Sequence, residues 1–316
     1  MNELYQTLKK FGKVKLDEPM SKHTTFKIGG PAKYFVIVDD TDKLVELLKF
    51  LDGEGEDYIL LGGGSNTLMR DEGYRGVVVK IQNSSRFNRN KIQNSLVEIS
   101  AGCSTVATAQ ETIKAGLTGF EWGVGVPGTI GGAVRGNAGI PSGEMKDNLL
   151  KCEVYRDGEI LELSNAECEF GYRDSIFKHN TDVILRVWLK LEQGTNIDLQ
   201  KKAFEYIDHR NKTQPKGFTA GCVFKNVPCK TLDAKILEKI PQEYIEKGKI
   251  PAGWLVDQVG MKGAEQGKAK VSEVHGNFMM NMGGARAQDV CDLVEKVKEK
   301  VYTRYGIELY EEVQII

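Results

Sequence analysis

Neither cysteine nor histidine is spaced here to hold a metal or a disulfide framework. The 316-residue chain has six cysteines (Cys103, Cys152, Cys168, Cys222, Cys229 and Cys291) with no C-x-x-C pair, and four isolated histidines. That spacing argues against a zinc cluster, so no metal is expected, and reads as free thiols in a reducing compartment. An excess of one charge is also missing: 43 Lys+Arg stand against 44 Asp+Glu, a net charge of −1. So close a balance leaves no electrostatic footprint for nucleic acid or an anionic membrane, and neither partner is expected. No apolar run approaches the ~18 residues that would cross a bilayer. The stretch Met1 to Gln6 lacks a basic segment leading into an apolar one, so no secretory signal is expected and the expected location is cytoplasmic. No Gly-Lys-Ser/Thr follows the glycine turn at Gly62–Gly64, which argues against a P-loop nucleotidase.

What is present is an alternation of strands and helices. Tyr34–Val38, Tyr58–Leu61 and Val77–Ile81 read as strands. Leu44, Leu47, Leu48 and Leu51 fall at helical spacing between the first two, with Thr41 as the expected cap and Gly53 as the expected stop. Leu96–Ser100 is a further strand, followed by a helix from Ser104 or Thr105 to Ala115. Two strands flank Asp157-Gly158, a hairpin turn, and Val183–Leu191 reads as a long strand. The polar break at Gln193–Asn196 is the expected domain boundary. Beyond it come a helix around Leu199–Arg210, an amphipathic segment near Leu232–Ile240, and a last helix burying Val290, Leu293, Val294, Val297 and Val301. The fold class is α+β.

Two glycine stretches carry the chemistry. Gly62-Gly63-Gly64-Ser65-Asn66 follows a strand, where backbone amides can form a nest for a pyrophosphate. The stretch Gly123–Gly139 holds seven glycines in seventeen residues. It contains a formal G-x-G-x-x-G at Gly123, Gly125 and Gly128, but Gly119-Phe-Glu-Trp122 precedes it and Pro127 interrupts it, so a Rossmann turn is not expected. Together the two stretches point to a large, flat, anionic cofactor.

Three further constellations each have a bland reading beside the chemical one. Arg173, in the turn Gly171–Lys178, can clamp a carboxylate bidentately or lie solvated at the surface. Cys222, in Gly221–Asn226, can be a proton donor, since a thiol of pKa ~8.5 stays mostly protonated at neutral pH, or a small buried apolar group. An extended backbone there would set Cys222 and Phe224 on one face and Lys225 on the other. Of Glu311 and Glu312, neighbours in a strand, only one can face a site, and spacing does not choose between them.

In order along the chain, Thr24–Ala32, Leu61–Asn66, Gly125–Ala133, Asn137–Gly139, Tyr172–Lys178, Gly221–Asn226, Pro251–Gln258, Val271–His275 and Asn277-Phe278 resemble the UDP-N-acetylenolpyruvoylglucosamine reductase (MurB) family, in its shorter form without an extra tyrosine loop. The resemblance spans nearly the whole chain apart from about Pro228–Ile250. It implies a two-lobed FAD-binding module of the vanillyl-alcohol-oxidase type (lobes 1–80 and 81–195) and a C-terminal α+β substrate domain (196–316). It implies noncovalent FAD, held by Gly62, Gly63, Gly64, Ser65, Asn66, Val126, Pro127, Gly128, Thr129, Gly131, Gly132, Ala133, Asn137 and Gly139. It implies NADPH as co-substrate, with hydride passing through flavin N5 to the enolpyruvyl ether of UDP-N-acetylglucosamine, in peptidoglycan precursor synthesis. Arg173, Cys222 and Glu312 are then the catalytic residues, Glu312 with a raised pKa, and Tyr172, Lys225, Asn226 and Gln258 the substrate contacts. A monomer is expected.

This chain departs from the family pattern at the proton donor, with Cys222 where Ser is usual, and at Val227, where Pro is common. A lysine-rich helix is expected to run to Ile250. Two rivals share the fold: an FAD-dependent oxidase of a sugar or alcohol, and an inert flavin-binding protein. Neither requires Arg173, Cys222 and Glu312 together.

Overall fold

The computed structural model describes residues 3–82, 92–93 and 95–316. Their packing divides them into two compact units, one drawn from 1–18, 32–63 and 74–210 and the other from 19–31, 64–73 and 211–316.

In the first unit the leucine spacing sets the first lobe. Strands Lys13–Pro19, Pro31–Val38, Tyr74–Ile81 and Tyr58–Leu61 lie in that order, and both pairings of Tyr74–Ile81 are parallel. Helix Thr41–Glu54 joins two of these strands and buries Leu44, Leu47, Leu48 and Leu51 against Tyr34, Val36, Val38, Val77 and Val79. Its ends differ from expectation by a residue or two. Asp40, not Thr41, is the cap, its Oδ1 accepting from the Asp42 and Lys43 N–H groups at 2.9 Å. The helix continues through Gly53 to stop at Gly55, whose φ of 66° supplies the left-handed turn.

The second lobe is an antiparallel sheet in the order Glu159–Ser164, Leu149–Arg156, Val183–Lys190, Leu96–Ser100, Ile92–Gln93. Asp157 and Gly158 both have positive φ, 49° and 86°, as a two-residue hairpin turn of the mirror-image type demands. Helix Thr105–Lys114 is capped by Ser104, and Phe120 meets Trp122 edge-on at 4.9 Å. Tyr155, Val183 and Leu185 reach into the first lobe's core, and the Tyr155 hydroxyl donates to Asp52. Burial, reinforced by Asp52, pushes that hydroxyl up to about 12, so it remains a donor. Helix Asn196–Thr213 carries Leu199 into this lobe's core, past the polar break at 193–196.

The second unit is built on helix Ala287–Tyr305. Val290, Leu293, Val294, Val297 and Val301 are buried in one core cluster that also includes Ala269, Val271 and Met279, from two strands of an antiparallel three-stranded sheet. The expected lysine-rich helix up to Ile250 does not form. Two short helices, Ala234–Leu237 and Gln242–Glu246, stand on either side of Ile240-Pro241, because proline has no N–H to offer and disfavours helix at the residue before it. Val227–Pro228 pairs with Lys249–Ile250 and closes this insertion into a loop. All six cysteines are free, with the buried Cys152 and Cys168 sulfurs 3.7 Å apart.

Leu293→Ala is expected to lower unfolding stability by about 2–5 kcal/mol, since the cavity adds to the lost burial. It should appear as a lower urea midpoint at unchanged slope. Tyr302→Ala, on the exposed face of the same helix, should move the midpoint by less than about 0.5 kcal/mol.

Candidate active site

In the first unit the two glycine stretches lie against each other. A Cβ on Gly62 would come within 2.4 Å of Thr129 Oγ1, and one on Gly63 within 2.7 Å of the Gly128 Cα. Only residues without side chains permit backbones that close. The second stretch is pinned from beneath: Thr105 N–H donates to Gly128 O at 3.1 Å, Ile130 N–H to Cys103 O at 2.9 Å and Gly131 N–H to Ala101 O at 2.8 Å. Thr129 caps the short helix Ile130–Arg135 through the Gly132 N–H, with Ala133 buried inside it. Val126 is half-buried and Pro127 exposed. Glu121–Gly125 forms a 3₁₀ turn where a Rossmann fingerprint would need a strand.

The same unit fixes Arg173. The turn Gly171–Asp174 closes on itself by two main-chain bonds, and Arg173 sits in it with a φ of 54°. Its Nη2 donates to Gly139 O at 2.7 Å and its Nη1 to Asn137 O at 3.4 Å. The neighbouring Tyr172 is exposed, its ring centre 5.7 Å from the guanidinium carbon. Asn137 is buried with a φ of 41°. Its Nδ2 donates to Gly171 O and Glu144 Oε2, and its Oδ1 accepts from the Lys146 N–H.

The other candidates belong to the second unit. Cys222 forms a bridge with Phe278, and Phe224 with Glu311. The Glu312 N–H donates to Val223 O at 2.7 Å, and the Lys225 N–H to Tyr310 O at 2.9 Å. Cys222–Lys225 therefore runs between Asn277-Phe278 and Tyr310–Val313, with Cys222 half-buried. Val223 and Phe224 are both buried, so the burial along this segment does not follow the alternation of a strand with one face outside. Asn277, quoted in the sequence only as part of a motif, clamps the segment: Oδ1 accepts the Phe224 N–H at 2.9 Å and Nδ2 donates to Phe224 O at 2.8 Å.

The structure distinguishes the two glutamates. Glu311 pairs with Lys298 at 3.1 Å, while Glu312 is anchored by its main chain, its N–H on Val223 and its carbonyl on Asn66 Nδ2 at 3.0 Å. Asn66 also accepts the Gln314 N–H, which seats the C-terminal strand beside Thr67–Leu68. Gly64 takes a φ of 61° and its carbonyl accepts the Thr25 N–H, and Ser65 is half-buried beside it. Asn226 Oδ1 accepts from Ala252 N–H at the start of helix Ala252–Gln258, and Gln258 ends that helix.

Residues 32–164 match the family described as FAD binding domain, and residues 214–316 match the family described as UDP-N-acetylenolpyruvoylglucosamine reductase, C-terminal domain. A curated UDP-N-acetylenolpyruvoylglucosamine reductase from Caldanaerobacter subterraneus subsp. tengcongensis is 37% identical over 318 residues, covering 100% of this chain and 97% of its own. The chain belongs to the UDP-N-acetylenolpyruvoylglucosamine reductase family. The Bacillus subtilis reductase is 36% identical over 321 residues, covering 100% of this chain and 99% of its own. The crystal structure of the Thermus caldophilus reductase superposes with a TM-score of 0.76 at 32% identity, covering 96% of this chain and 98% of its own. With the family comes the fold class, a two-lobed FAD-binding module followed by an α+β domain, and the reductase family is one of FAD-dependent oxidoreductases. The first unit fits that cofactor. Its glycine pair brings two backbones together without side chains, and a Cβ on Gly125 would meet nothing within 4 Å. A flat ring system and a diphosphate need that kind of unobstructed main chain.

Gly63→Ala should force the glycine stretches apart, an overpacking cost of about 1–3 kcal/mol. FAD affinity should fall by ~10- to 100-fold, read from the flavin absorbance retained through gel filtration.

His275 gives a pH dependence. Burial holds its pKa below the ordinary 6.5, while its Nδ1 accepts the Asn277 N–H at 3.2 Å. The unfolded chain takes up that proton more readily, so His275's contribution to stability is present above pH 6.5 and lost as pH falls below it. The urea midpoint should drop through that window, and His275→Gln should flatten the drop.

Proposed function

We propose that this chain reduces the enolpyruvyl ether of UDP-N-acetylglucosamine to UDP-N-acetylmuramate with NADPH, a step of peptidoglycan precursor synthesis. The observation that carries this reading is the full-length similarity to relatives bearing the reductase name. FAD, when bound, would supply the redox chemistry that links NADPH to the ether carbon β to the carboxylate. Gly62, Gly63, Gly64, Ser65, Asn66, Val126, Pro127, Gly128, Thr129, Gly131, Gly132, Ala133 and Gly139 are the residues assigned to holding it.

The protein's own part is to stabilise charge and deliver a proton. Hydride addition leaves an enolate conjugated with the substrate carboxylate, so cationic and hydrogen-bonding groups must meet that end. Arg173 is assigned to the carboxylate, since a planar guanidinium holds it with two parallel bonds. Glu312 is assigned as its companion, a role a carboxyl fills there when protonated. Glu311 is the weaker choice, because Lys298 already neutralises it. Cys222 is assigned as proton donor to the carbon next to the carboxylate. A thiol is a stronger acid than the serine hydroxyl usual in the family, and it donates only while it remains protonated. Tyr172, Lys225, Asn226 and Gln258 are assigned to the sugar nucleotide.

Among the described residues no helix is long and apolar enough to cross a membrane. The nucleotide substrates place the reaction in the cytoplasm, and a monomer suffices for the residues assigned.

The test is the anaerobic flavin spectrum followed in two steps. NADPH should bleach it, and the enolpyruvyl ether, not buffer alone, should restore it. Bleaching without recovery would leave a different oxidoreductase of this fold. A protein that takes up no FAD would overturn the reading altogether.

Cys222→Ser should keep turnover. Cys222→Ala should reduce its flavin normally with NADPH yet reoxidise ~10²- to 10⁴-fold more slowly with the ether, the range a general acid supplies. Equal loss in both half-reactions would remove Cys222 from the donor role.

A further inference from the structure

Both N–H donors of the Asn137 side chain are spent inside the protein. A carboxamide has two N–H donors, and Nδ2 faces two acceptors, Gly171 O at 2.9 Å and Glu144 Oε2 at 3.1 Å. Oδ1 receives the Lys146 N–H at 3.0 Å. The residue is fully buried. No donor of this side chain is left over for a flavin, the role that the family resemblance implies for it.

What Asn137 touches instead is Arg173, from two directions. Its amide holds the carbonyl of Gly171, the first residue of the turn that carries Arg173 at a φ of 54°. Its own main-chain carbonyl accepts from Arg173 Nη1, while Gly139, two residues on, accepts from Nη2. Side chains rarely adopt a left-handed backbone unless their surroundings impose it. The Gly171–Asp174 turn provides part of that constraint by its paired bonds of 3.0 and 3.3 Å, and the Asn137 amide ties the turn to the 137–139 segment. Asn137 itself has a φ of 41°, a conformation asparagine accepts more readily than most residues. One buried residue thus contributes to both the backbone and the guanidinium of the arginine, beside Gly139 O on Nη2 and Lys178 Nζ on the Arg173 carbonyl.

We infer that Asn137 is a positioning residue for substrate, acting through Arg173 and not through the flavin. The inference rests on the reading of Arg173 as the carboxylate-binding group. Its consequence is a separation of effects: loosening Asn137 harms the half-reaction that needs the substrate carboxylate and spares the one that does not.

The experiment compares Asn137→Gly, which suits the left-handed backbone and deletes the amide, with Asn137→Asp, which keeps the acceptor for Lys146 N–H but turns an oxygen on Gly171 O. FAD content, anaerobic flavin reduction by NADPH, calorimetric affinity of the oxidised enzyme for the enolpyruvyl ether, and flavin reoxidation by the ether are measured for each. Both variants should keep their FAD and reduce it at the wild-type rate. Ether affinity and reoxidation should fall ~10- to 100-fold, the loss expected when a substrate-orienting group is misplaced. In an Arg173→Ala background, Asn137→Gly should cost nothing further, because the group it positions is gone. FAD loss from both variants, equal damage to the two half-reactions, or losses that multiply in the double variant would each overturn the inference. If the ether does not reoxidise the reduced wild type, the functional reading fails and the inference with it. Reoxidised wild type beside unaffected variants sinks the inference alone.

Discussion

The contact between Gly62-Gly63 and Gly128-Thr129 is the constraint from which much of the first unit's site follows. It requires two loops to approach at main-chain distance, so each loop must be held from behind. Strand Tyr58–Leu61 delivers the first loop, and three bonds from Ala101, Cys103 and Thr105 hold the second. The second loop then enters the helix Ile130–Arg135, and Asn137 and Gly139 follow directly. The glycine contact is thus joined through a short, hydrogen-bonded stretch to the carbonyls that receive Arg173. Arg173 is far from the glycine loop in sequence, yet a single short helix separates that loop from the carbonyls to which Arg173 donates.

The second unit solves a related problem by other means. Cys222–Lys225 has no long strand beside it, and neighbours on both sides are short. Its ladder is completed by Asn277, which presents an amide to the Phe224 peptide in the way a strand neighbour would. Cysteine at position 222 sits in a scaffold to which Val223, Phe224 and Lys225 contribute main-chain bonds that do not depend on the side chain at 222. The exchange of serine for cysteine alters acidity and size at one side chain only. That independence is what makes a thiol chemically testable there without dismantling its support.

Local chemistry was legible where a residue type has one meaning. Asp157-Gly158 could only be a tight hairpin turn, and the leucines at helical spacing could only face a core. The cap expected at Thr41 falls instead on Asp40, which has the extended backbone a cap needs, while Thr41 is already the first helical residue. Pro241 was visible in the sequence, yet the lysine-rich pattern around it argued for a continuous helix and lost. Strand spacing alone does not separate Glu311 from Glu312, and only the family resemblance chooses Glu312; the pairing of Glu311 with Lys298 joins two segments that neither one announces by itself. Leu199 likewise follows the core it fills and not the polar break before it.

Asparagine shows how a motif alone leaves a residue's part in a site open. Asn66 holds the Glu312 carbonyl, Asn137 the Gly171 carbonyl, Asn277 both polar groups of Phe224, and Asn281 the carbonyls of Phe26 and Lys27. Each carboxamide copies a peptide group, with donor and acceptor side by side, and so can stand in for a missing strand at the edge of an irregular loop. Loops rich in glycine need such stand-ins, since they have few side chains to pack and many main-chain groups to satisfy. An asparagine near a glycine stretch therefore has two roles that look the same in sequence, contact with a ligand or repair of the loop that makes the contact. The count of its own donors and acceptors helps to separate them, and in the Asn137 side chain both N–H donors already have protein partners.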